Sequence, residues 1–227
     1  MRTAIEWALR NDRKTVTILH KGNIMKFTEG GFLNWGYALA DSEFAHRLYT
    51  SRQWKRSALR AGEAVANGEL ENARSTGKLI VNDMIVDASF EWAITRPQEM
   101  DVLVTTNLNG DYLSDALAAL VGGLGIAPGA NINFQNGNAI FEAVHGTAPN
   151  LAGKDLANPC SLILSSVLML RYLNWNEAAD LIEKNLEETL KSGKVTADFH
   201  VQMKGSSSRS TTEFTQDLIQ RMEYASH

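Results

Sequence analysis

Two carboxylates four residues apart, Asp111 and Asp115 in Asn107-Leu-Asn-Gly-Asp-Tyr-Leu-Ser-Asp115, follow an apolar, strand-like run from Asp101 to Thr106. On a helix that spacing sets both on one face. With Asp87 in the preceding element they make an oxygen-rich set suited to Mg2+ or Mn2+, hard cations that take few carboxylates plus waters and substrate oxygens. The same residues read equally as a helix cap at Asp111 with solvated or ion-paired carboxylates at Asp115 and Asp87. Lys21, in His20-Lys-Gly-Asn-Ile-Met-Lys26, directly follows a strand, where loops often carry function. A surface lysine is the ordinary reading; buried beside carboxylates, its amine could exchange protons near neutrality.

Absent motifs narrow the chemistry. The sequence has no Walker lysine loop, serine nucleophile elbow, zinc-binding histidine pair or CxxC. Gly123-x-Gly125 opens like a dinucleotide fingerprint, but Pro128 replaces the third glycine and a helix precedes it, so no Rossmann domain is expected. The single cysteine, Cys160, excludes an internal disulfide, fits a reducing compartment, and beside an apolar helix reads as a small packing residue. A formal net charge of −4 gives no electrostatic reason to expect nucleic acid or an anionic membrane as partner. No eighteen-residue apolar run or signal-peptide core is found, and a cytoplasmic location is expected.

The elements that must position these groups alternate between helix-like and strand-like along 227 residues, 44% of them apolar, which predicts an α/β layered fold. Helix is predicted at 3–11, 28–49, 84–95, 111–121, from Asn158-Pro159 to near Leu173, and at 176–191 and 211–223. Strand is predicted at 15–20, 79–81, 102–106 and 139–144. Phe32, Trp35, Leu39 and Phe44 recur at near-helical spacing and predict core packing. The polar stretch Arg47 to Lys78, with Arg52, Lys55, Arg56 and Arg60 balanced by Glu63, Glu69 and Glu71, reads as a solvated surface excursion. Gly205 to Ser210 reads as an exposed loop. The glycine run Gly122 to Gly129 divides residues 1–121 from 122–227 as two lobes.

Taken in order, His20-Lys-Gly-Asn-Ile-Met-Lys-Phe-Thr-Glu-Gly30, Asn107 to Asp115, Gly122-Gly-Leu-Gly-Ile-Ala-Pro-Gly-Ala-Asn131, Glu142-Ala-Val-His-Gly-Thr-Ala-Pro149 and Trp175-Asn-Glu-Ala-Ala-Asp-Leu-Ile182 resemble the bacterial-type isocitrate dehydrogenases of the isocitrate/isopropylmalate dehydrogenase family. The resemblance implies a two-lobed, layered α/β fold that is not Rossmann and is incomplete here. In it, 1–121 belong to the small, dimer-forming lobe and 122–227 to the large, cofactor-binding lobe. It implies oxidative decarboxylation of isocitrate to 2-oxoglutarate, with reduction of NAD or NADP and a divalent metal aiding both halves of the reaction. Asp111 and Asp115 match metal ligands; Asp87, the third, and Lys21, the catalytic lysine, come from the neighbouring subunit, so the active site implies a dimer. Asn23 matches a residue at the substrate and nicotinamide end. His145, Gly146, Thr147 and Ala148 match the loop on the adenosine portion, and Glu142, Asn158 and Asp198 match further cofactor contacts.

The departures matter as much. Met1 aligns with the middle of the family's chain, so the serine- and arginine-bearing substrate clamp, the catalytic tyrosine, the phosphorylated serine and the dimer clasp lie outside the match. The chain alone is therefore expected to be inactive. It would work when complemented by the missing half, or serve as a non-catalytic partner in a heterodimer with a full-length homologue, or be an incomplete gene product. NADP-type members carry lysine and tyrosine after His-Gly-Thr-Ala-Pro, where this chain has Asn150 and Leu151; Ala197 and Val201 replace a tyrosine and an arginine. Arg96, matching a position on the neighbouring chain, remains the cationic candidate for a 2′-phosphate, beside Glu91 and Trp92 where that pattern has glutamines. Asn150 can still accept a bond from a ribose hydroxyl, and NAD is the expected cofactor.

Overall fold

Two short apolar runs and two longer ones form a parallel sheet in the first of two units. The computed structural model describes residues 1–225, and the chain divides into Met1–Ala116 and the residues from Leu117 onward. The first unit contains α1 (Arg2–Arg10), β1 (Thr15–His20), α2 (Glu29–Glu43), β2 (Leu48–Thr50), α3 (Ser51–Ala61), α4 (Glu63–Ser75), β3 (Leu79–Ile85), α5 (Val86–Thr95) and β4 (Val102–Val104). It ends within α6 (Asn107–Val121). The strand order is β2-β3-β1-β4, every pair parallel, with Val16 opposite both Val81 and Val102.

Helices cover both faces of this sheet, which is why β1 is buried along nearly its whole length instead of alternating. Ile5, Val16, Ile18, Tyr37, Leu48 and Val81 pack on one face; Tyr49, Ala73 and Ile80 pack with Trp54 and Leu70 on the other. Gly36 lets α2 approach β1 closely, since a Cβ there would lie 2.9 Å from the Ile18 Cδ1.

The second unit opens on an antiparallel hairpin, β5 (Pro128–Ile132) with β6 (Ala139–Ala143). Then come α7 (Cys160–Tyr172), α8 (Asn176–Lys191), β7 (Lys194–Thr196), α9 (Ala197–His200), β8 (Ser207–Arg209) and α10 (Thr211–Ala225). Cys160, Leu186, Phe214 and Leu218 form its core. Buried Ser165 fastens α7 to both hairpin strands, accepting from the Gly129 N–H at 3.1 Å and donating to the Glu142 carbonyl at 2.8 Å. Burial, with the negative charge of Asp198 second, pushes the Cys160 thiol up to about 12, so it is the packing residue the sequence suggests.

Several expectations change. The predicted 28–49 helix stops at Glu43, and Trp35 is 70% exposed: the buried stripe of α2 runs through Gly36, Tyr37 and Ala40, whose small members admit the strand, while Phe32, Leu39 and Phe44 flank it. The supposed excursion from Arg47 to Lys78 holds a wholly buried strand and two packed helices, α3 and α4. The helix bearing Asp111 begins four residues earlier, at Asn107, and β5 starts inside the glycine run. Ser207–Arg209 is not a free loop but pairs with β7. Among the described residues no helix is long and apolar enough to cross a membrane.

Candidate metal and cofactor site

In a parallel sheet all carboxyl ends lie on one edge, where ligands of open α/β sheets bind. Here β3, β1 and β4 are consecutive neighbours. Just beyond their ends come Asp87 in the first turn of α5, Lys21, and α6 with Asp111 and Asp115. Lys21 Nζ lies 2.6 Å from Asp87 Oδ1. This amine, first through its hydrogen bond, holds the Asp87 carboxyl below its ordinary range, so Asp87 is an anionic oxygen donor at neutral pH. Lys21 itself is only partly buried and salt-bridged.

The Lys21 loop is sharply constrained. Gly22 N–H donates to His20 Nδ1 at 3.0 Å, and a Cβ on Gly22 would meet the Gly30 Cα at 2.9 Å, so the chain there must lack a side chain. Ile24 and Met25 N–H both return to the Lys21 carbonyl, and Asn23 sits exposed in that turn. Behind the loop, the Tyr37 hydroxyl donates to Asp83 at 2.5 Å, and burial, then Asp83, raises the phenol above its usual range. Buried His20 Nε2 faces Asp83 Oδ2 at 3.5 Å without making a hydrogen bond.

Asp111 and Asp115 are exposed, and neither carboxylate has a protein partner among the described residues. Asp111 stands a full turn inside α6, so it does not cap that helix. A pair of unneutralised carboxylates one helical turn apart fits a hard divalent cation chemically. Within one chain the set is incomplete: among the described residues no three His, Cys, Asp or Glu side chains gather to hold a metal ion.

The cofactor-matched residues of the second unit divide into a built cluster and an open loop. Asn158 Nδ2 donates to Asp198 Oδ2 at 2.9 Å, Thr196 Oγ1 donates to Asp198 Oδ1 at 2.6 Å, and Asn158 Oδ1 accepts the Cys160 N–H at 2.9 Å. Gly125 fits against this pair, since a Cβ would lie 2.9 Å from the Asn158 Cβ. Exposed Glu142 accepts from Asn131 Nδ2 at 2.8 Å. His145, Gly146, Thr147 and Ala148 lie in an exposed loop, with Ala148 at φ +42°, a conformation a side chain seldom adopts, and Asn150 sits in the exposed 3-10 turn that follows. Arg96, in the first unit, is salt-bridged to Glu91 at 3.0 Å and lies 4.3 Å over the Trp92 ring.

Glu29, Thr106 and Asn109 were not singled out by sequence reading. Glu29 is 6% exposed, and its carboxylate accepts from the Lys21 N–H at 3.1 Å, Thr106 Oγ1 at 2.8 Å and Asn109 Nδ2 at 2.7 Å. The available signal was indirect: all three residues lie within or beside the two motifs carrying Lys21 and Asp111.

This sheet and its flanking helices are of the α/β class, and residues 1–218 match the model of the isocitrate/isopropylmalate dehydrogenase family; the chain belongs to that family. It is 53% identical over 223 residues to a Staphylococcus aureus protein named isocitrate dehydrogenase [NADP], and 48% identical over 222 residues to a Helicobacter pylori protein of the same name. Those matches take in 98% of this chain but 53% and 49% of the relatives, so the chain spans about half their length. The crystal structure of isocitrate dehydrogenase from Methylococcus capsulatus aligns with a TM-score of 0.75 at 36% identity, over 97% of this chain and 54% of that one.

Proposed function

We propose that this chain supplies the metal carboxylates, the proton-transferring lysine and the dinucleotide-contacting loop of an isocitrate dehydrogenase, which oxidises isocitrate at C2 and releases carbon dioxide to give 2-oxoglutarate. The observation that carries this reading is that the ion-paired Lys21 and Asp87, and the unpartnered Asp111 and Asp115, all follow the carboxyl ends of neighbouring parallel strands in a chain from this family. Asp111 and Asp115 would hold Mg2+ or Mn2+ together with Asp87 of a second copy, the bound cation supplying Lewis acidity toward substrate hydroxyl and carboxylate oxygens. Asp87 holds the Lys21 amine in a fixed position in the free chain, from which it would pass a proton to substrate. Asn23, on the same turn, would contact the substrate and nicotinamide end.

Glu142, the 145–148 loop, Asn158 and Asp198 would hold the dinucleotide. Asn150 offers a neutral acceptor to a ribose hydroxyl, and Leu151, Ala197 and Val201 bring no charge to a 2′-phosphate. We therefore read NAD as preferred, against the NADP in the names of the Staphylococcus and Helicobacter relatives.

The test is Mn2+ titration of a dimer containing this chain, with isocitrate-dependent release of 2-oxoglutarate measured in parallel. Asp111→Asn and Asp115→Asn are each expected to weaken Mn2+ binding on the order of tenfold or more. Unchanged affinity in both removes the ligand assignment, and turnover of isopropylmalate without turnover of isocitrate reassigns the substrate.

A further inference from the structure

We propose that Glu29 is a positioning residue that locks the Lys21 loop to the start of α6, so that lysine and metal carboxylates are presented as one fixed unit. The inference rests on the roles proposed above for Lys21, Asp111 and Asp115.

The geometry is that of a hub. Glu29 opens α2, yet its carboxylate is buried, and burying a carboxylate is costly unless its lone pairs are taken up. Three donors take them, and they come from two separate segments: the Lys21 backbone N–H after β1, and the Thr106 hydroxyl and the Asn109 amide, the latter in the first turn of α6, after β4. Asn109 also donates to Thr106 Oγ1 at 3.2 Å, which closes the second segment on itself. None of the three donors is a charged group, so the carboxylate has no counter-ion in this hub and its work is to accept. The Gly110 N–H returns to the Thr106 carbonyl at 3.0 Å, placing Asp111 one residue beyond a backbone that Glu29 fixes. On the other side, the Lys21 N–H is the atom Glu29 holds, and the same residue's amine reaches Asp87.

Glutamine can do most of this. Its carbonyl oxygen can accept from Lys21 and Asn109 while its amide donates to Thr106 Oγ1, which has acceptor capacity. Alanine can do none of it. Positioning therefore predicts an ordering, Glu29→Gln near the parent and Glu29→Ala far from it, whereas a role for the negative charge predicts that both variants fail alike.

The experiment uses the full chain in two arms. In the first, competitive acetylation mapped by mass spectrometry reads the Lys21 amine against exposed Lys26. Glu29→Ala is expected to raise Lys21 labelling about threefold, as local opening releases it from Asp87, and Glu29→Gln to leave it within about a factor of two. In the second, Mn2+ affinity is expected to fall about tenfold in Glu29→Ala and to be largely retained in Glu29→Gln. Ile5→Val, which loosens the core away from the hub, is the control for a loss of stability alone and leaves both readouts in place. Thr106→Val, removing one donor, takes the place of Glu29→Ala if that variant does not fold. Unchanged Lys21 labelling in Glu29→Ala overturns the proposal, as does an unchanged Mn2+ affinity or equal damage from alanine and glutamine. If the parent chain binds no Mn2+, the metal reading fails, and the labelling arm alone decides whether Glu29 positions Lys21.

Discussion

Arg96 already has two neighbours, the Glu91 carboxylate at 3.0 Å and the Trp92 ring at 4.3 Å. A guanidinium so placed is partly neutralised before any phosphate arrives, and it is the cationic candidate left after Asn150, Leu151, Ala197 and Val201. We expect a higher catalytic efficiency with NAD than with NADP in a competent dimer. Glu91→Gln should move that ratio toward NADP by at most about fivefold, because an exposed ion pair is worth about 0.2–1 kcal/mol. Steady-state kinetics with both cofactors reads the ratio, and a preference for NADP in the parent would place phosphate recognition elsewhere. Lys21, Asp87, Asp111 and Asp115 stood out in the sequence because residue type and spacing draw attention to them. Glu29 did not, since its partners Thr106 and Asn109 stand 77 and 80 residues away and its burial depends on a sheet that brings the two segments side by side.

At the scale of elements, legibility followed hydrophobic length. β1 and the helices with broad apolar faces could be read, while the stretch from Arg47 to Lys78 could not, because its strand is three residues long and α3 and α4 bury few residues each. One local signal was there: Thr50-Ser-Arg-Gln53 is a capping box, with the Gln53 N–H donating to Thr50 Oγ1 and the Thr50 N–H to Gln53 Oε1. It ends a buried strand and starts a helix within one residue, so the cap fixes the angle at which α3 leaves the sheet. Thr50→Ala should cost about 1 kcal/mol or slightly more, since the position is also buried. Urea denaturation measures this, and a loss below about 0.3 kcal/mol would mean that packing of Tyr49 and Trp54 sets the helix start without the cap.

At the scale of the whole molecule, each unit is stapled by one largely buried aspartate. Asp101 accepts from the Lys14 and Thr15 N–H groups at 2.8 and 3.0 Å and from Arg13 at 2.5 Å, tying the entry of β1 to the entry of β4. Asp217, on α10, accepts from Lys194 of β7 at 3.1 Å and Arg209 of β8 at 2.9 Å. Burial raises both carboxyls, but the backbone donors and Arg13 outweigh it for Asp101, and Arg209 and Lys194 outweigh it for Asp217, leaving both below the ordinary 3.8. A carboxyl lowered on folding stabilises fully above its unfolded value and loses that contribution as pH falls through the folded one. Stability should therefore hold from pH 7 down to about pH 5 and fall once pH drops below 3.8. Asp101→Asn and Asp217→Asn should each cost about 1–2 kcal/mol at pH 7 and each flatten part of the acid loss. The two aspartates share no partner, so the double variant should show the sum within about 0.5 kcal/mol. Denaturation of the four proteins at pH 7 and pH 3 tests both points together. An acid loss unchanged in the double variant would assign it to exposed carboxylates such as Glu43 and Asp87, which solvent screens and which therefore have the weaker claim.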